Sequence, residues 1–347
     1  MISHWNSVGP REFDLITFGE IMLRLSPPRH ERITDSDVFQ KQAGGAELNV
    51  ASGVALLGLR TGIISRLPHN KLGTYIKNRI RYTGVSDDFL IYDESPDARL
   101  GLYYYEMGAA PRKPTIVYDR KKASITRIQM EEIPDSVYSS ARMFHVSGIT
   151  LALCENMRNV AVEVIRRFKE AGAIISFDVN YRANLWTEQE ARQTIEKILP
   201  LVDVLFVSEE TSRRMFQKTG PLEDILKSYA DTYGTKVVAA TQRTVISPRE
   251  HNFTSLVYSA EKDAFYTEEP YQNIDVIDRI GSGDAYVAGV LFGLLQYGDA
   301  ETAMRFGNAT SSTKSTVPGD LPSSDFAEIQ RIIHEHSARG PVNEMDR

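Results

Sequence analysis

A chain of 347 residues exceeds the usual size of one domain, yet one large α/β core with a small appended element fits that length as well as two domains do. Its 42% hydrophobic and 25% charged residues suffice to close a sizeable core and exclude a largely disordered chain. The formal net charge of -6 and a pI near 5.7 exclude broad phosphate-backbone binding, so nucleic acid is not an expected partner, whereas a small anion held by a few local arginines stays open.

Residues 1 to 12 read as an unstructured lead. The first strand is expected over Phe13 to Leu25, an apolar run stopped by Pro27-Pro28. Gly44-Gly45 opens a helix over Ala46 to Leu57, closed by Gly58 and followed by a short strand from Arg60 to Ser65. Further strands are expected at Met143 to Val146, Ala173 to Asp178, Val202 to Val207 and Lys236 to Thr241, separated by helix-period segments such as Met157 to Lys169. This alternation implies an α/β fold of three layers, α/β/α, with a mainly parallel sheet.

Two stretches interrupt the alternation: His30 to Gln40, and Arg99 to Tyr118 with its Tyr103-Tyr104-Tyr105 run. Both read as extra, partly exposed strands forming a small β lid over a site. The division that follows is a core of 13–29, 41–97 and 121–334, a lid of 30–40 and 98–120, and tails of 1–12 and 335–347. Open lid edges can pair with a second copy, so a homo-oligomer is expected. The single cysteine, Cys154, precludes an intrachain disulfide, and neither a signal-like segment nor a membrane-length apolar run is present, so the expectation is a cytoplasmic protein.

In open α/β sheets ligands sit beyond the carboxyl ends of the strands. The sharpest signal is Asp278-Arg279-Ile280-Gly281-Ser282-Gly283-Asp284-Ala285, leading into an apolar helix over Tyr286 to Leu295. Small residues before a helix let free backbone N–H groups converge on an anion, where the helix dipole also favours negative charge. Asp284, within the same turn, is placed to accept a proton from an attacking hydroxyl. The plainer reading is an acidic residue at the favourable end of a helix. Neither a P-loop nor a dinucleotide fingerprint occurs, and Tyr286 stands where the latter needs its third glycine.

Asp-x-x-Gly-x-Gly-Asp before a buried helix resembles the C-terminal signature of the PfkB (ribokinase-like) carbohydrate kinases, with Ser282 where Ala is usual, and Gly44-Gly45-Ala46-Glu47-Leu48-Asn49 resembles their N-terminal element. Within that family, Gly19 to Pro28, Val117 to Arg120 and Phe177 to Trp186 resemble the 2-keto-3-deoxygluconate kinases. The resemblance implies transfer of the γ-phosphate of ATP, with Mg²⁺, to the 6-hydroxyl of that acid sugar. By the same resemblance Asp284 is the base and Gly281, Ser282 and Gly283 form the anion hole. Gly44, Gly45, Asn49, Tyr103, Tyr118, Arg120 and Arg182 hold the sugar, the arginines meeting its carboxylate. Ser208, Thr241, Arg243, Asn308 and Lys314 belong to the nucleotide side, and Asp178 to the metal.

Each assignment has a plainer counterpart: sheet packing for the tyrosines, surface ion pairs for the arginines, a cap or turn for Asp178. The family's Asn-x-x-Glu element is replaced by Ser208-Glu209-Glu210-Thr211, and its Lys-His by Lys314-Ser315. Two other readings therefore stay open: a kinase of another sugar such as fructose or ribose, and a catalytically weak sugar-binding or sensor protein. His334-Glu335-His336 lacks the spacing that puts two ligands on one helix face and reads as a solvated helix end.

Overall fold

The computed structural model describes Trp5 and residues 8–338. The chain opens with β1 (Phe13–Phe18), β2 (Met22–Ser26), β3 (Gln40–Gly44), α1 (Ala46–Leu56), β4 (Thr61–Pro68), α2 (Lys71–Tyr82), β5 (Leu90–Asp93), β6 (Gly101–Glu106) and β7 (Thr115–Asp119). It continues through α3 (Val137–Ser140), β8 (Ala141–Ser147), α4 (Gly148–Ala152), α5 (Glu155–Glu170), β9 (Ile174–Asp178), α6 (Glu188–Ile198), β10 (Val204–Phe206), α7 (Glu209–Arg214) and α8 (Leu222–Tyr233). It closes with β11 (Val237–Ser247), β12 (Glu250–Ser259), β13 (Ala264–Tyr266), β14 (Tyr271–Asp275), α9 (Ser282–Tyr297), α10 (Ala300–Ser315) and α11 (Phe326–Ala338).

The large sheet runs β13-β12-β11-β10-β9-β8-β1-β4-β5, with β14 paired to β12. From β11 to β5 every neighbouring pair is parallel. Its strands are apolar on both faces because helices cover both. Leu15, Met143, Ile174, Val204 and Val237 pack with α1, α9 and α10, while Ile16, Phe144, Ile175, Leu205 and Val238 pack with α5, α6 and α8. These two layers confirm the expected α/β/α architecture.

The second sheet, β3-β2-β6-β7, is the lid, with β2 and β6 parallel and both outer pairs antiparallel. Here the structure corrects the expected strands. Phe13 to Leu25 is two strands, broken at Gly19 and Glu20, so that β1 stays in the core while β2 crosses into the lid. Between His30 and Phe39 the backbone forms turns and loop, and strand structure starts only at Gln40. In the expected lead, Trp5 is buried in the core and Arg11 donates to the carbonyls of Ala141 (2.8 Å) and Ala171 (2.6 Å). The other residues of 1–7 and those from 339 onward lie outside the described residues, whereas 335–338 belong to α11.

Strand order reverses around β1, which has β4 on one side and β8 on the other. The carboxyl ends of β1, β8, β9, β10 and β11 therefore open on one rim, where α9 also begins. That rim is where ligands bind in such sheets.

Candidate active site

At the start of α9, Gly281 has φ 82°, a left-handed conformation that a glycine adopts without strain. A side chain there would run into the backbone oxygen of Asp320. The Ser282 N–H turns back to the Arg279 carbonyl (3.2 Å), which leaves those of Gly283 and Asp284 as first-turn donors without an intrahelical acceptor. No atom lies within 4 Å of where a side chain on Gly283 would begin. Gly283 thus borders open space at the positive end of a helix, a setting into which an anion fits.

Two cavities meet there, since both are lined by Gly283, Asp178, Asn180 and Arg182. The larger, about 590 Å³, extends under the lid and is lined by Gly45, Asn49, Tyr103, Tyr118, Arg120, Arg243 and Asp284. The other, about 420 Å³, runs along the ends of β10 and β11 past Ser208, Thr211 and Thr241.

Asp284 accepts a hydrogen bond from Asn49 Nδ2 at 2.7 Å, and the other amide atom, Asn49 Oδ1, is buried without a protein partner. Burial is the main cause that pushes the Asp284 carboxyl up to about 6, against the opposing pull of Asn49 and Arg182. Asp178, at the end of β9, is pushed up to about 7 by burial and then by the charge of Asp284. The result is a carboxylate close to neutral pH in its proton affinity, with a donor that fixes its orientation, as proton acceptance requires. Among the described residues no three His, Cys, Asp or Glu side chains converge as a metal cage.

Under the lid, Arg120 is already engaged. It forms an ion pair with buried Glu20 through Nη2 and a hydrogen bond from Nε at 2.8 Å, with the Tyr118 ring 5.6 Å from its guanidinium carbon. The Tyr103 hydroxyl donates to Asp320, and its ring lies 5.9 Å from that of Tyr118. Gly44 lines neither cavity; its α-carbon abuts the Asp320 carboxylate, where a side chain would collide. Arg182 is exposed, donating at 3.3 Å to the neighbouring Tyr181 carbonyl and, among the described residues, to no other acceptor, and its charge acts on Asp178 and Asp284.

The residues expected on the nucleotide side do not stay together. Ser208 and Thr241 line the smaller cavity, but Arg243 lines the larger one. Asn308 is buried and donates to Glu268 at 2.8 Å. Lys314 is buried too, its ammonium held by the carbonyls of Asp278 (3.0 Å) and Val317 (3.3 Å), so neither side chain reaches the two cavities. In the altered element, Ser208 caps α7 by accepting from Thr211 N–H at 3.1 Å, and Glu210 is paired with Arg214 at 2.7 Å. His336 stacks on Tyr271 and contacts the Glu269 carbonyl at 2.8 Å, so this side chain is packed against β14 where a solvated helix end was expected.

Several site residues were not singled out from sequence. Glu47 is buried, has no cationic partner among the described residues, and accepts from Ser147 N–H (2.9 Å), Ser147 Oγ (2.7 Å) and Thr150 Oγ1 (2.7 Å). Arg24 of β2 is buried between Asp278 (2.6 Å) and Asp320 (2.8 Å), tying the lid to the loop before α9. Glu20 marks a signal that was available: a carboxylate inside an apolar run, at the carboxyl end of a strand.

Comparisons with known proteins agree with this geometry. The family described as pfkB family carbohydrate kinase matches residues 13–326. A 2-dehydro-3-deoxygalactonokinase of Haloferax volcanii is 35% identical over 320 residues, 92% of this chain and 96% of that one. A 2-dehydro-3-deoxygluconokinase of Bacillus subtilis is 28% identical over 340 residues, 93% and 98% of the two chains. The crystal structure of a Thermotoga maritima 2-dehydro-3-deoxygluconokinase superposes with a TM-score of 0.88 at 32% identity, covering 93% of this chain and 98% of that one. With two cavities meeting at a glycine-rich helix start beside an oriented carboxylate, and a family match over nearly its whole length, the chain belongs to the pfkB family of carbohydrate kinases.

Proposed function

We propose that the protein transfers the γ-phosphate of ATP to the 6-hydroxyl of 2-keto-3-deoxygluconate. The observation that carries this reading is Asp284, held by Asn49 in the larger cavity next to Gly283, where the two cavities meet at the first turn of α9. ATP would supply the phosphoryl group, and Mg²⁺ accompanying it would offset its charge, with Asp178 as the carboxylate placed to hold the ion.

The chain's own groups then do three things. Asp284 accepts the proton that the acceptor hydroxyl loses as its oxygen bonds to phosphorus and the bond to ADP breaks. The N–H groups of Gly283 and Asp284 stabilise the charge of the group in transit. The lid, with Tyr103 and Tyr118 on it, keeps out water that would otherwise compete for the phosphoryl group. Support for an acid sugar comes from Arg120 and Arg182, both of which line the larger cavity, and from the names of the relatives. A cytoplasmic setting, where ATP is at hand, goes with this reading, as does pairing of exposed lid strand β7 with a second copy.

The Haloferax relative's name favours a second reading, the galacto epimer as substrate. ADP release with Mg²⁺ and ATP across both keto-acids, fructose, ribose and gluconate, with Asp284→Asn as blank, separates these. Turnover of a keto-acid that the blank loses supports the proposal, and the faster epimer names the substrate. Turnover of neutral sugars alone sinks the acid-sugar assignment. Binding without turnover across the panel points to a sensor.

A further inference from the structure

The cations around the two cavities differ in what they already hold. Arg120 is committed to Glu20, and Arg214 to Glu188 and Glu210. Arg182 lies under the charges of Asp178 and Asp284. Arg243 and Arg279 stand apart: among the described residues, neither guanidinium has a hydrogen bond or an ion pair, although both line the larger cavity with Gly281, Gly283 and Asp284.

They also stand near each other. The charge of Arg279 adds to burial in lowering the Arg243 pKa, and both arginines add to burial in pushing His251 of β12 down to about 4. Two unpaired, mutually repelling guanidinium groups at a cavity wall are unfavourable by themselves and become favourable around a doubly charged anion, which each can meet with two parallel hydrogen bonds.

We infer that Arg243 and Arg279 form a two-armed clamp for the phosphoryl group on the acceptor side of the transfer, gripping it as it leaves ATP and holding it as the phosphate ester of the product. This rests on the kinase reading above. Position selects the phosphoryl group over the other anions of the reaction. Arg279 stands two residues before Gly281, and both arginines face the cavity that contains Asp284, where the hydroxyl is attacked. Neither lines the smaller cavity past Ser208 and Thr241, where the departing ADP would lie. The sugar carboxylate sits at the far end of a six-carbon chain from the hydroxyl that Asp284 serves. In the step itself the hydroxyl oxygen bonds to the γ-phosphorus, the bond to the β-phosphate oxygen breaks with its electron pair leaving on ADP, and the proton goes to Asp284. The clamp gives up nothing and offsets charge on the equatorial oxygens.

The test compares wild type with Arg243→Gln, Arg279→Gln and the double variant, with lysine at each position as the conservative control. Both side chains are on the surface, so folding is not at stake. Three quantities are measured: turnover with the keto-acid, calorimetric affinity for ADP·Mg, and calorimetric affinity for inorganic phosphate with ADP·Mg present. The expected result is a loss of turnover of about 100-fold or more in the double variant, loss of phosphate binding, an ADP·Mg affinity within about twofold of wild type, and partial rescue by lysine. An equal fall in ADP affinity would assign the pair to the nucleotide's own phosphates and overturn the clamp. So would a raised keto-acid KM with kcat unchanged, which would assign it to the carboxylate, or no change in any of the three. Phosphate binding reads the clamp even without a sugar, so a wild type that binds phosphate but turns over no sugar sinks the kinase reading alone.

Discussion

At the scale of single residues, the site turns on two carboxylates that burial has made reluctant to ionise. Asp284, pushed up to about 6, works as a base only when it has lost its proton, so turnover should rise with pH through about 6 and level off above the step set by Asp178 near 7. A pH profile of kcat/KM checks this, and a flat profile down to pH 4.5 would rule Asp284 out as the base. Asp284→Asn should lower kcat by about 100-fold to 10,000-fold while the fold persists. Asp178 gives a stability prediction of opposite tendency. Its folded-state pKa lies above the ordinary value of 3.8, so its contribution is neutral below that value and becomes unfavourable as pH rises through about 7. Asp178→Asn should therefore stabilise the protein by about 2 kcal/mol at pH 8, a gain that fades towards pH 4, in paired denaturation curves. It should at the same time weaken Mg²⁺-dependent turnover.

At the scale of elements, two glycines separated by one residue carry different burdens at the start of α9. Gly281 is left-handed and abuts the backbone of Asp320, so Gly281→Ala should destabilise the protein by about 2 kcal/mol or more. Gly283 is helical and faces open space, so Gly283→Ala should leave stability unchanged or slightly raised, yet cut turnover at least about tenfold, because the methyl group enters the space offered to the anion. Thermal melts and turnover on the two variants check the contrast. This element was legible because its spacing of small residues and its acid sit within one turn, and local sequence decides such geometry. The core strands were legible for the same reason, each being an apolar run bounded by turns. The lid was less so. β2 continues the apolar pattern of β1, and only Gly19 and Glu20 mark the point where the chain leaves one sheet for another. The nucleotide side was least legible. Asn308 and Lys314 lie on different sides of α10, and both are turned into the interior, one towards Glu268 and the other towards the Asp278 carbonyl, directions that only packing sets.

At the scale of the whole molecule, lid and core are joined by a buried cluster of charges that no local pattern announces, because its members are far apart in sequence. Arg24 of β2 lies between Asp278 and Asp320, stacks 4.5 Å over the Tyr105 ring and donates to Ser26, while Tyr103 of β6 donates to Asp320. Asp278 in turn accepts from the N–H groups of Ile280 (3.1 Å) and Gly319 (3.0 Å), so the lid's anchor is also what shapes the loop entering α9. Charges this deeply buried are stable only as a set, and removing one leaves the others without compensation. Arg24→Met should therefore destabilise the protein by about 3 to 5 kcal/mol at pH 8. The sign of its pH dependence follows from Asp320, whose carboxyl burial already pushes up and which the arginine now pulls back. Without Arg24 that pull is gone, the folded variant takes up a proton more readily than the unfolded chain, and its deficit against wild type should shrink as pH falls from 8 to 5. Melting curves of both proteins across that range check it. A deficit independent of pH would mean that Arg24 contributes through packing on Tyr105 and not through charge, and the lid would then be held to the anion-binding loop by shape alone.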